Sequence, residues 1–160
     1  MNKINILFVC MGNLCRSPTA AAVFAYHVAD AGLEQHIMID AAGTHVYDAG
    51  DPPDERAKRA AAKRGYDLSR LRTRAVRKTD FERFHYVLAM DDKNLAKLAK
   101  DCPQDHAKKL ALLMQYGKPG ATLFVPDPYY GGMQGFERVL DMVEDATQGL
   151  LRHIRQQHQL

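Results

Sequence analysis

The chain has 160 residues, of which 46% are hydrophobic, and a formal net charge of +3 at pH 7. That is enough for one globular core, and the mild positive charge excludes a strongly basic nucleic-acid binder while slightly favouring anionic ligands. No apolar stretch approaches the ~20 residues that cross a bilayer, so no membrane association is expected.

Met1-Asn2-Lys3 runs straight into Ile4-Asn5-Ile6-Leu7-Phe8-Val9, with nothing that resembles a signal peptide. That short apolar run, rich in β-branched residues, reads as a buried strand. After it, Ser17 can cap and Pro18 can occupy the first turn of a helix that ends near Ala31-Gly32. His36 to Ala41 reads as a second strand. Ala42 to Asp54 reads as a loop, punctuated by Gly43, Gly50 and Pro52-Pro53. Pro53-Asp54-Glu55 then opens a helix through Arg64, closed by Gly65. Leu68 to Thr79 is irregular and basic, and is expected to be a solvated face. Phe84 to Met90 is a third strand, followed by a helix from Asp91 or Asp92 to about Lys100, which Cys102-Pro103 ends. Leu110 to Met114 is apolar enough for either a last strand or a buried turn. A final helix starts near Gly132 or Met133, with Phe136, Val139, Leu140, Val143, Leu150, Leu151 and Ile154 as its apolar stripe. Strands alternating with helices imply an α/β fold with a parallel sheet covered on both faces and a site at the strands' carboxyl ends. There are no repeats or linker-like stretches, so residues 1–160 are taken as one domain. Three cysteines, an odd number without a secretory signal, point to reduced thiols in the cytoplasm.

The chemistry concentrates between the first strand and the first helix. The loop there starts with the thiol of Cys10 and ends with the guanidinium of Arg16. Within it, Gly12 and Asn13 most readily take positive φ, and backbone of alternating sign turns successive N–H groups inward as an anion nest. The helix dipole adds its positive end, and the Arg16 fork matches two phosphate oxygens. Met11, Gly12, Asn13, Leu14, Cys15, Arg16 and Ser17 are therefore the expected phosphate-binding set. Such surroundings lower a thiol's pKa from near 8.5 to roughly 3.5–7.5, so Cys10 is expected to act as a thiolate nucleophile. Ser17 can donate a hydrogen bond to it as a leaving group. The spacing Cys-x5-Arg is weak alone; the strand before it, Gly-Asn within it and Ser-Pro after it make it specific.

Val9-Cys10-Met11-Gly12-Asn13-Leu14-Cys15-Arg16-Ser17-Pro18 resembles the phosphate-binding loop of the low-molecular-weight protein tyrosine phosphatases. Asp127-Pro128-Tyr129-Tyr130 stands where that family carries its acid, so the resemblance runs from about Lys3 to the C-terminus. It implies a three-layer fold with a central four-stranded parallel sheet and helices on both faces. It also implies hydrolysis of phosphotyrosyl proteins and small aryl phosphates through a phosphocysteine, with Cys10, Arg16 and Asp127 as catalytic residues. The implied chemistry needs no cofactor and no metal. Asp127 becomes the general acid and then the base for water; the prolines at 126 and 128 hold it extended without a helix. Tyr47, Tyr129 and Tyr130 become the walls for a flat phenyl ring. Among bacterial members a tyrosine kinase for envelope polysaccharide assembly is a common partner.

Two places depart from the family pattern. A histidine and a serine that help hold the loop asparagine are replaced here by Leu71 and Ala41, which puts the support of Asn13 in question. Other chemistries fit less well. The seven histidines show no metal-ligand spacing, and there is no Gly-x4-Gly-Lys-[Ser/Thr] nucleotide loop. An arsenate reductase shares the cradle but needs a further cysteine pair, and only Cys102 remains. A phosphoarginine phosphatase carries threonine where this chain has the apolar Leu14. An idle phosphotyrosine-binding module would lack the thiol or the acid. Cys15, close to Cys10 in a curled loop, is read as a resolving thiol that captures oxidised Cys10 as a disulfide.

Overall fold

The strand Ile4–Cys10 (β1) is buried from Ile6 onward with no polar alternation, because both of its faces are covered. Ile6, Phe8 and Cys10 point into the larger apolar cluster, while Leu7 and Val9 point into a smaller one on the opposite face. A computed structural model describes residues 2–160. β1 is central in a four-stranded sheet with β2 (Ile37–Gly43), β3 (Tyr86–Ala89) and β4 (Leu110–Leu112), in the order β2-β1-β3-β4, all parallel. The chain leaves β1 for β2 on one side, then crosses to β3 on the other. That reversal opens a crevice above the carboxyl ends of β1 and β3.

Among the described residues, five α-helices cover the sheet: α1 (Arg16–Asp30), α2 (Glu55–Lys63), α3 (Asp80–Arg83), α4 (Asp92–Asp101) and α5 (Met133–His158). Phe24 of α1, Ala57 and Ala61 of α2, and the Phe136–Ile154 stripe of α5 fill the larger cluster. Phe81 of α3 and Leu98 of α4 belong to the smaller one. The expected three-layer architecture is the one observed. The α5 stripe is buried except at Leu151, which is half-buried. Among the described residues no helix is long and apolar enough to cross a membrane.

Several boundaries differ from expectation. Helix α1 begins at Arg16 with Cys15 as its cap residue, so Ser17 does not cap it, while Pro18, its third residue, lies in the first turn as expected. β2 runs on to Gly43 because Ala41, Ala42 and Gly43 pair with Phe8, Val9 and Cys10. The ambiguous 110–114 segment is both alternatives in turn: three residues of strand, then a 3₁₀ turn, Leu113–Tyr116. The basic 68–79 segment is not simply solvated. Arg74 makes ion pairs with Asp40 at 2.9 Å and with Asp80 at 2.9 Å, and Asp80 is only 2% exposed. A charge read as surface is thus a tie between β2 and the start of the unforeseen α3.

Candidate active site

The thiol sits at the end of β1, where the backbone leaves the sheet. Asn13 takes φ 58°, a left-handed conformation that asparagine tolerates better than most residues, and the loop turns back over Cys10. The turn brings the Asn13 N–H to 3.2 Å from Cys10 Sγ, with Ser17 Oγ at 3.0 Å from the same sulfur. Ser17 has one hydroxyl proton for three acceptors: Asn13 Oδ1 at 2.8 Å, Ala42 O at 3.3 Å, and the sulfur when it is a thiolate. Among the described residues, the amides of Gly12, Leu14 and Cys15 meet no acceptor. Together with the free first-turn N–H groups of α1, they form a donor set for an oxyanion.

Arg16 is 3% exposed, yet its head group reaches the cleft. Its Nη1 donates to Asp91 Oδ2 at 2.6 Å and to the Val125 carbonyl at 3.0 Å. Nε and Nη2 make no hydrogen bond among the described residues, and Nη2 lies 3.8 Å from Asp127 Oδ2. Sequence reasoning missed Asp91. Its carboxylate does two jobs, accepting from the Asn94 N–H at 2.8 Å as the cap of α4 and holding Arg16 in place. The signal was available: an Asp-Asp pair directly after a strand, at the carboxyl edge where the site should lie. Gly43 was also missed, having been read as a loop residue. A Cβ there would stand 2.6 Å from Met11 O, 2.7 Å from Val46 Cγ2 and 3.0 Å from Asn13 N. Only glycine lets β2 run so close under the loop.

Asn13 is 3% exposed and is not held by side chains at positions 41 and 71. Its amide nitrogen faces the Ala41 carbonyl at 3.5 Å, and its oxygen accepts from Ser17. Leu71 instead packs, half-buried, on the larger apolar cluster. The side chains of Asn13 and Ser17 therefore lie beneath the loop as supports rather than lining the cleft. Met11, Gly12, Leu14, Cys15 and Arg16 do line it.

The cleft above Cys10 has a volume of ≈ 260 Å³. Asp127, Tyr47, Tyr129 and Tyr130 all border it, so the residues singled out from distant stretches converge. The Asp127 side chain is 34% exposed, and its Oδ1 accepts from the Tyr129 N–H at 3.0 Å. Tyr129 and Tyr130 meet edge-on, with centroids 5.0 Å apart. Tyr47, which borders the same cleft, is almost fully exposed. Its loop is tied down by Thr73, whose hydroxyl donates to Asp48 O at 2.7 Å and accepts from the Asp51 N–H at 3.0 Å. Burial, with Asp54 adding to it, pushes the Cys15 thiol's pKa far up. Cys102 packs with the smaller cluster on the other face of the sheet.

This geometry matches a known family. The sequence model of the low molecular weight phosphotyrosine protein phosphatases matches residues 5–160. The chain belongs to that family. The low molecular weight protein-tyrosine-phosphatase of Streptomyces coelicolor is 43% identical over 95% of this chain and 94% of its own length. The low molecular weight phosphotyrosine protein phosphatase of Schizosaccharomyces pombe is 40% identical over 95% of this chain and 97% of its own. Among solved structures, a protein tyrosine phosphatase from Entamoeba histolytica with Hepes in its active site superposes with a TM-score of 0.93. It is 37% identical and covers 99% of this chain and all of its own. The protein is thus a hydrolase of the tyrosine phosphatase class, with phosphoproteins as its substrates.

Proposed function

We propose that this phosphatase works by double displacement, with Cys10 as nucleophile, Arg16 and the loop amides as the oxyanion clamp, and Asp127 as acid and base. The observation that carries the reading is the convergence on one cleft of a sulfur with the Asn13 N–H and the Ser17 hydroxyl within reach, a buried guanidinium and a proline-braced carboxylate from the far end of the chain. In the first step the Cys10 thiolate attacks phosphorus. The S–P bond forms as the bond to the tyrosyl oxygen breaks, and Asp127 gives that oxygen its proton. Charge spreads over three equatorial oxygens facing the Arg16 Nε and Nη2 groups and the amides of Gly12, Leu14 and Cys15. In the second step water attacks the phosphocysteine and gives a proton back to Asp127. The S–P electron pair returns to sulfur, where the Asn13 N–H and the Ser17 hydroxyl receive it. Tyr129, Tyr130 and Tyr47 flank the entrance and suit a phenyl ring, and Leu14 adds an apolar surface at the same place.

The test is turnover of phosphotyrosyl peptide and p-nitrophenyl phosphate in EDTA, with phosphoarginine and arsenate alongside. Efficient hydrolysis of the first two, with neither of the others used, is expected. Reduction of arsenate would overturn the reading; Cys102 on the far face of the sheet offers no thiol to relay oxidation.

Three finer readings belong here. Cys15 is the resolving thiol: peroxide turns Cys10 into a sulfenic acid, and the protonated Cys15 condenses with it to a disulfide, releasing water. Its place in the same loop as Cys10, lining the same cleft, supports this role. The protein works in a reducing compartment, the cytoplasm, which its three free cysteines favour and cell fractionation checks. A bacterial tyrosine kinase is a fitting phosphoprotein substrate, and capture by an Asp127→Ala protein tests that pairing.

A further inference from the structure

Asp127 stands on a loop with no helix to carry it, and prolines alone do not set the direction of its carboxylate. Tyr129 does more. Its N–H donates to Asp127 Oδ1 at 3.0 Å, and its carbonyl accepts from Arg56 Nη2 at 2.8 Å. The Arg56 guanidinium lies over the Tyr129 ring, 5.4 Å from its centroid, and over the ring of Phe136, 4.8 Å from that centroid. Its Nη1 also donates to the Gly131 carbonyl at 3.4 Å. One side chain thus holds the acid loop by two carbonyls and one aromatic face, and braces it on Phe136, which is buried at the start of α5.

The other side of the guanidinium faces the phosphate loop. Arg56 Nε and Nη2 donate to the two oxygens of Asp54 at 3.2 and 3.0 Å, a forked pair. Asp54 also caps α2 by accepting from the Arg56 N–H at 2.8 Å, and its own N–H donates to the Leu14 carbonyl at 2.9 Å. An unbroken line of contacts therefore runs from Leu14 beside the nucleophile, through Asp54 and Arg56, to Tyr129 and the Asp127 carboxylate. It ties the two halves of the site without passing through Arg16. Lysine could not replace it, because a point charge cannot fork to a carboxylate and reach two carbonyls in one plane.

We propose that Arg56, seated on Asp54, is a positioning residue that sets the acid loop at the right distance from the phosphate loop for Asp127 to protonate the leaving oxygen. The inference rests on Asp127 being the general acid. It predicts a particular kinetic signature, because a misplaced acid matters only when the leaving group needs a proton. Phenyl phosphate and 2,4-dinitrophenyl phosphate present the same ring but leaving oxygens of very different basicity.

The experiment measures kcat/KM for both esters on the wild type, Arg56→Lys, Arg56→Ala, Asp127→Ala and the Arg56→Ala/Asp127→Ala double variant, with thermal midpoints for each. For Arg56→Ala, phenyl phosphate hydrolysis is expected to fall by about 10- to 100-fold, the cost of a misplacement on the order of 1 Å. Dinitrophenyl phosphate should fall by less than about threefold, since its leaving group departs unprotonated. Arg56→Lys should show the same pattern, and it serves alone if Arg56→Ala does not fold. In the Asp127→Ala background the Arg56→Ala cost on phenyl phosphate should vanish, as it must if both act on one proton transfer. Equal losses on the two esters, or a cost that persists without Asp127, would leave Arg56 as a structural residue and overturn the proposal. If Asp127→Ala itself fails to discriminate between the esters, the acid assignment falls first and the positioning role falls with it.

Discussion

The loop that holds the thiol and the loop that carries the acid face each other across one cleft, yet they are held in opposite ways. The supports of the 10–17 loop are buried, Cys10 at 2% exposed, Asn13 at 3% and Ser17 at 0%, and only its cleft-facing rim is open, at Met11 with 43%. They are gripped from below by β2, from the side by Asp91 and from within by Ser17. The acid loop is open, with Tyr129 41% and Tyr130 88% exposed, and is held by a few bonds through the Tyr129 peptide and Arg56. The contrast follows from what each must do. Stabilising charge on three phosphoryl oxygens works best with donors that need not reorganise. Protonating a leaving group on a protein, and then letting that protein depart, calls for a surface that substrates of many shapes can approach.

The comparison can be broken most completely at the sulfur. Cys10→Ser should lower turnover on the order of 10⁴-fold or more while leaving the fold and phosphate binding intact; substantial turnover by a folded variant would show that another group attacks. Removing the acid comes next. Asp127→Ala should cost ~10²–10⁴-fold on phosphotyrosine and far less on esters with good leaving groups, as read from kcat/KM across an aryl phosphate series.

Smaller effects sharpen the contrast. Gly43→Ala pushes a methyl group onto Met11 O and Asn13 N from below. A rigid cradle should answer with a loss of about 10- to 100-fold that is equal for all leaving groups, and with weaker inhibition by inorganic phosphate. A loss that depended on the leaving group would mean that the strain had travelled to the acid loop instead. Arg74→Ala leaves Asp80 buried beside a single Arg77 N–H donor, at 2.7 Å. Stability should drop by about 3 kcal/mol, visible as a lower denaturation midpoint, with turnover per folded molecule much less affected. Cys15→Ala should change turnover least of the five. Its signature is instead an inactivation by peroxide that dithiothreitol no longer reverses, where the wild type recovers and shows a two-dalton loss in the peptide holding both cysteines. Full recovery of the variant would reduce Cys15 to packing.

The alternation of strands and helices, the Cys-x5-Arg loop and the proline-flanked Asp127 were all legible in the amino-acid order, because each is a local pattern with a local cause. A buried strand must be apolar, a nest needs residues tolerant of positive φ, and a carboxylate on a bare loop needs prolines beside it. The α5 stripe was legible for the same reason, being periodic over many turns. What the chain alone did not disclose were residues whose role depends on a partner far away in sequence. Asp91 looks like an ordinary helix cap until the sheet sets it beside Arg16, and Gly43 looks like a loop glycine until β2 slides under Met11 and Asn13. Arg74 reads as a surface charge until Asp40 and Asp80 close around it, and Arg56 as a plain first-turn arginine until the 126–131 loop folds over it. Ala41 and Leu71 show the reverse: where two supporting side chains are absent, the Ala41 carbonyl and the Ser17 hydroxyl face Asn13 instead. Side-chain chemistry and short-range periodicity are written along the chain. Which charge meets which, and where backbone replaces side chain, is decided only when parallel strands bring the ends of four separate segments to one edge of the sheet.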